Sequence, residues 1–196
     1  MGKIPLLDYW GVHARKELTE RTKLLALQLL RQYDHHASAK ILQVNQRFRT
    51  YYNGWLTPSG FTGLHAIACS GIVETAKTLI ELGGCDVNGR DSLGCTPLMW
   101  AARNNNSGVC EALLELGDAD PSIRDMEGET ALSTAIKGGH EDIVKLLERQ
   151  DVIPDSPNNG GQIPLSVAAR NGHEVTVSLF FGGDEVNPHP PHNDTA

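Results

Sequence analysis

Four cysteines and eight histidines are the residues of this 196-residue chain best equipped for metal or nucleophilic chemistry, and their spacing supports neither. Cys69, Cys85, Cys95 and Cys110 form no C-x-x-C pair, and no interval to a histidine matches a metal site. They read as reduced thiols. His35 and His36 are neighbours, and adjacent residues on a helix face different directions, so they do not share a metal easily. His189 and His192 lie among Pro188, Pro190 and Pro191, the composition of a loose tail. No Ser, Thr or Cys has a persuasive His and Asp partner set. Glu127 and Glu129 flank a turn and read better as solvated hairpin residues than as an acid–base pair. Neither G-x-G-x-x-G nor G-K-[S/T] occurs, so the glycines cradle no phosphate. The residues predict no catalytic group, no cofactor and no metal.

The elements that hold these residues repeat. Thr62-Gly-Leu-His65, Thr96-Pro-Leu-Met99, Thr130-Ala-Leu-Ser133 and Ile163-Pro-Leu-Ser166 begin 34, 34 and 33 residues apart. Small residues follow each: Ala66 and Ala68, Ala101 and Ala102, Thr134 and Ala135, Ala168 and Ala169. Gly71, Asn105, Gly139 or Gly172 then stops the helix. A second periodic stretch ends in a bulky pair: Leu79-Ile80, Leu113-Leu114, Leu146-Leu147 and Leu179-Phe180. Thr or Pro at each start suits a helix N-terminus, and the alanines let short helices stack closely. Between copies run polar stretches with Gly94, Gly128 and Gly161 two residues before each start, where a turn takes positive φ. Trp100 sits beside the small residues and reads as a packing group rather than an exposed recognition group.

These units resemble ankyrin repeats, whose pattern is T-P-L-H-x-A-A, a glycine turn, V-V-x-L-L and a D-x-x-G hairpin. Gly63 for Pro, Asn105 for Gly and Ile163 for Thr depart from it. The resemblance implies an all-α repeat solenoid of about four repeats, each a helix-turn-helix with a β-hairpin finger, behind an N-terminal helical cap. Residues 1–56 form that cap, 57–187 the array (repeats near 58–91, 92–125, 126–158 and 159–187), and 188–196 a Pro/His tail or the start of a next hairpin. In the cap, Glu17–Gln32 is an amphipathic helix, Ala39–Arg49 a second helix, and Tyr51–Trp55 an aromatic loop. His65 falls on the family position whose imidazole bonds within and between repeats.

Leu6-Leu-Asp-Tyr-Trp-Gly-Val-His-Ala14 is also similar to a run that precedes the array in fungal NACHT–ankyrin (NLR-like) proteins, and Pro97–Ala102 resembles their repeats. No nucleotide-binding motor of that family lies in these residues. At the other end, Val175, Val177, Leu179, Phe180 and Phe181 make repeat four apolar for a solvated cap. The expectation is that residues 186–196 shield that end or that it self-associates weakly.

A net charge of −7 excludes a broad basic surface for nucleic acid, and no apolar run approaches the ~20 residues of a membrane span. Met1–Asp8 is too short and polar for a signal peptide, and Asn193-Asp194-Thr195 matches a glycosylation sequon only by chance. The chain reads as cytoplasmic, with the nucleus open. Its partner is another protein, held on an extended concave face. The family resemblance places contact positions at Ser92, Leu93, Cys95, Arg103 and Asn104 in repeat two. In repeat three they are Met126, Glu127, Glu129, Lys137 and Gly138, and in repeat four Asn159, Gly160, Gln162, Arg170 and Asn171. Leu93 and Met126 are apolar in polar tips, as interface anchors are. The runner-up is the sensor end of an NLR-like switch whose NTPase lies elsewhere.

Overall fold

In the computed structural model, which describes residues 58–150 and 156–181, a threonine opens each of the first three repeats. Thr62, Thr96 and Thr130 hold extended backbone, with φ of −91°, −93° and −101°. The Thr96 and Thr130 hydroxyls accept from the Met99 and Ser133 N–H groups at 3.3 and 3.1 Å. Such a cap satisfies a donor that the first turn of a helix cannot. Pro97 and Pro164 occupy first-turn positions where a missing N–H costs nothing.

Eight helices and no strand follow among the described residues. They are α1 (Gly63–Ser70), α2 (Val73–Glu81), α3 (Pro97–Arg103), α4 (Ser107–Glu115), α5 (Ala131–Gly138), α6 (Glu141–Glu148), α7 (Pro164–Arg170) and α8 (Glu174–Phe180). Each first helix packs on the next, α1 on α3, α3 on α5 and α5 on α7. The second helices do the same, from α2 through α4 and α6 to α8. The result is a two-layer helical solenoid in which contacts run between neighbours. The first layer closes tightly because Ala66, Ala68, Ala101, Ala102, Ala131, Ala135 and Ala168 are buried there. Leu64, Ile67, Leu98, Leu132 and Ile136 are buried in the core, and Trp100 is buried on the finger side of α3.

The turns between paired helices need left-handed backbone. Gly71, Gly139 and Gly172 supply it, and Asn105, the departure from glycine, adopts φ 58° in the same role. Asn tolerates that region better than other side chains. Gly139 has a second reason to lack a side chain: a Cβ there would lie 2.5 Å from His173 Nδ1 of the next repeat. The residue after each turn also ties repeats together. Asn106 Nδ2 donates to the Ala68 and Cys69 carbonyls (2.6 and 3.1 Å), and His140 Nδ1 bonds the Ala102 carbonyl (2.8 Å). These carbonyls end a helix and would otherwise want a partner.

Two expectations shift. The bulky pairs are one residue out of register in the later repeats: counted from the helix start, Leu79 and Leu113 match Leu147 and Phe180. Leu113 and Leu147 are fully buried, whereas Leu114 and Leu146 are half-buried. The pair in repeat three begins one position earlier, with Glu148 where repeat two has Leu114, so identity alone misplaces it. The fingers, expected as β-hairpins, are tight turns without strands among the described residues: a single backbone bond spans each one, from Asp91 to Cys95, Asp125 to Glu129 and Asn158 to Gln162, and side chains complete the closure.

Repeat four is the least buried. Only Pro164, Ala168 and Thr176 are buried in α7 and α8, Ile163 offers no capping oxygen, and Ala169 is exposed. Thr176 occupies the position of Val109 and Ile143, and its buried hydroxyl finds no partner among the described residues. The cap over residues 1–56 and the tail 188–196 lie outside the described residues.

Candidate partner-binding surface

Each finger is built by one side chain. Asp91 Oδ1 accepts from the Leu93 and Cys95 N–H groups at 2.9 and 3.0 Å. Asp125 Oδ1 does the same for Glu127 and Glu129, both at 2.9 Å. Asn158 Oδ1 takes Gly160 and Gln162 at 3.0 and 2.9 Å. A short carboxylate or amide that bonds its own chain two residues on reinforces the one backbone bond across each finger, as from Asp125 N–H to the Glu129 carbonyl at 2.8 Å. One backbone bond then joins each finger to the one before. Ser92 donates to Ser59 (2.6 Å), Met126 to Leu93 (2.9 Å) and Asn159 to Glu127 (2.9 Å). Gly128 has φ 81°, and a Cβ there would stand 3.0 Å from the Asn159 backbone nitrogen, so only glycine admits the next finger.

The remaining polar atom of each builder fastens the finger to its surroundings, α3 for Asp91 and Asp125 and the exit of the third finger for Asn158. Asp91 Oδ2 accepts from Trp100 Nε1 at 2.8 Å, which settles Trp100 as a buried, bonded group at 2% exposure. Asp125 Oδ2 faces Arg103 Nη2 at 3.9 Å and the Cys95 thiol at 3.7 Å. Asn158 Nδ2 donates to Glu129 Oε1 at 2.5 Å. Arg103 also lies 5.1 Å over the Trp100 ring, and Trp100 meets Phe61 edge-on at 5.4 Å. Glu129 receives Lys137 Nζ and, at 2.7 Å, the Ser133 hydroxyl. Burial by itself would raise the Glu129 pKa. The bonds from Lys137, Ser133 and Asn158, with the Lys137 charge, outweigh burial and hold it below the ordinary value.

His65 is a packing group too. Its Nδ1 accepts from the Thr62 N–H at 3.0 Å, which leaves the proton on Nε2 to donate to the Cys95 carbonyl at 3.1 Å. The tautomer follows from the partners. Thus His65 links repeat one to the base of the second finger. Burial pushes the thiols of Cys95 and Cys110 up to about 12, and Cys69 is raised for the same reason. Neutral, buried thiols are poor nucleophiles. Among the described residues no three His, Cys, Asp or Glu groups could hold a metal ion.

The residues expected at the surface divide by depth. Ser92, Met126, Glu127, Asn159, Gly160 and Gln162 are exposed on the fingers, Met126 at 68%, and Leu93 is half-buried. Gly138, Arg170 and Asn171 are exposed at the ends of first helices, where Arg103, Asn104 and Lys137 are half-buried. Cys95 and Glu129 lie beneath, at 2% and 5% exposure, so they shape the surface without offering a side chain to it. The finger exit that carries them is drawn under by the bonds just described. Asp91, Asp125 and Asn158, which pin the second to fourth fingers, enter the sequence reading only through the D-x-x-G hairpin pattern, with no bonding role assigned. Their recurrence 34 and 33 residues apart, each three residues before a glycine, was the available signal.

A family model for ankyrin repeats (three copies) matches residues 23–125 and 116–189. The chain belongs to the ankyrin-repeat family. Two curated relatives align with it over 88 residues, SMC5-SMC6 complex localization factor protein 1 of Homo sapiens at 32% identity and of Bos taurus at 30%. The alignments cover 45% of this chain and 8% of each relative, so the chain spans under a tenth of the length of the curated relatives it matches. The likeness to the fungal NACHT–ankyrin proteins rests on Leu6–Ala14, which lies outside the described residues, and on Pro97–Ala102, which are buried in α3.

Proposed function

We propose that the chain is a non-catalytic protein-interaction module that holds its partner on the concave face of the ankyrin array. The observation that carries this is the division of labour on that face. Internal bonds close every finger, while the side chains of Ser92, Met126 and Glu127 remain exposed and outside those bonds; Asn159 and Gln162 are exposed too, though Asn159 Nδ2 also donates to the Met126 carbonyl and Gln162 Oε1 accepts from Asn158. Met126 is the apolar anchor, with Leu93 beside it on the preceding finger. Arg103, Asn104, Lys137, Gly138, Arg170 and Asn171 form the opposite wall. The partner is a protein rather than nucleic acid or membrane. The net charge of −7 opposes phosphate backbones, and among the described residues no helix is long and apolar enough to cross a membrane. The relatives' name, a localization factor for a complex, fits a module that places one protein beside another.

The test is capture of partners by the immobilised chain, compared with Met126→Glu and Glu127→Arg. Both variants should fold and melt as wild type and lose the captured protein. Retention of every captured protein by both would remove the concave face from the reading. The sensor reading rests on the Leu6–Ala14 run, and its support would be a nucleotide-binding region encoded upstream in the same gene.

A further inference from the structure

Arg103, Lys137 and Arg170 end the first helices of three successive repeats, 34 and 33 residues apart, and so form one row on the concave wall. Two of the three are neutralised within the fold. Arg103 faces Asp125 Oδ2 at 3.9 Å and stacks on Trp100, and Lys137 pairs with Glu129. The row that answers them is Cys95, Glu129 and Gln162, again 34 and 33 apart. It therefore offers an amide at the register where Lys137 finds its carboxylate. Repeat four also replaces the finger-building aspartate with Asn158, and no acidic residue occurs from Ser156 to His173. Arg170 is exposed, with no ion pair or side-chain hydrogen bond among the described residues. The same repeat also exposes Gln162 and Asn171, whose amides can donate hydrogen bonds.

We propose that Arg170 is the docking point for a carboxylate of the protein partner, so that an acidic segment of that partner meets repeat four. The inference rests on the concave-face reading and narrows it to a partner chemistry. A guanidinium pairs with a carboxylate through two parallel N–H bonds, and amides alongside can hold the remaining lone pairs. Repeats two and three cannot serve in this way, because their cations already have internal partners.

The probe is an acetylated, amidated peptide of alternating Glu and Ser, titrated into the full chain and followed by NMR. Matched Gln–Ser and Lys–Ser peptides are the controls. The Glu–Ser peptide should shift the signals of Arg170, Gln162 and Asn171, and Arg170→Gln should weaken it by about threefold to fivefold, since surface ion pairs are worth up to about 1 kcal/mol. Arg103→Gln should change it less than twofold. Equal binding of the Gln–Ser peptide, shifts confined to other repeats, or an unaffected Arg170→Gln would overturn the proposal. Neutralising Asp184, Glu185 and Asp194 together should leave binding unchanged. A fivefold gain there would make the chain's own tail the occupant and equally overturn it. A stability loss in Arg170→Gln without a binding loss would reduce Arg170 to a helix-end cation. If captured protein is lost on Met126→Glu but kept on Arg170→Gln, this inference fails and the module reading stands. If the probe seats at Arg170 while no concave-face variant alters capture, the module reading fails instead.

Discussion

Glu129 is the side chain on which the third and fourth fingers lean. Three donors converge on a carboxylate that is nearly sealed from water, and the fourth finger hangs from it through Asn158. Its pKa is depressed below the ordinary 4.5, so its contribution to stability is fully present above that value. It is lost as pH falls through the lower folded value. Glu129→Gln should therefore cost roughly 1.5–3 kcal/mol at neutral pH, the usual worth of bonds to a charged group. The gap between wild type and variant in thermal melts should close as pH falls well below 4.5. A gap that persists at pH 2 would show that the Glu129 charge contributes nothing. Thr176 is the opposite case, a hydroxyl in a site built for Val109 and Ile143. Thr176→Val keeps the shape and removes an unsatisfied buried oxygen, so it should stabilise by about 1 kcal/mol in denaturant titration. No gain would mean that the hydroxyl bonds a carbonyl of its own helix.

At the scale of the element, depth within α4 and α6 follows the count from each helix start rather than the look of the leucine pair. Leu113→Ala and Leu147→Ala should each cost roughly 2–5 kcal/mol, since both side chains are fully buried. Leu146→Ala should cost about 1 kcal/mol, because a half-buried side chain loses less area to begin with. Urea unfolding of the three variants checks the order. A Leu146 variant as damaged as the Leu147 variant would overturn the register. Fraying of one repeat before the rest is the expected form of the damage, because contacts run only between neighbours. The fingers teach the same lesson from the other side. Periodicity located them, but beside one backbone bond each, the closing bonds come from single Asp and Asn side chains, which no hydrophobic pattern registers.

For the whole molecule, the open question is what meets the far side of repeat four. Phe181 is 73% exposed there, near the half-buried Phe180, and Ile163 and Val175 are exposed as well. Self-association through this end has a clear consequence for Phe181→Glu. The variant should lower the dimer fraction in sedimentation at several concentrations, because a charge resists burial in a dry contact. Circular dichroism should not change, since so exposed a side chain carries little of the core. A monomeric wild type at all concentrations would remove self-association from the description.

The sequence by itself determined the repeat, its period, the helix pairs and the packing roles of His65 and Trp100. Each follows from local rules that recur: a capping hydroxyl, small residues for close approach, and a residue that takes positive φ. Asn105 was legible as a turn for the same reason. Only the tertiary structure decided which surface residues are available. Cys95 and Glu129 stand at finger exits just as Gln162 does, yet Cys95 and Glu129 are drawn beneath the face while Gln162 is exposed. That difference arises from partners one repeat away, Asp125 for Cys95 and Asn158 for Glu129. Pairings across repeats leave no trace in the period of either strip, so only folding the two strips together reveals which charges are spent and which, as at Arg170, remain.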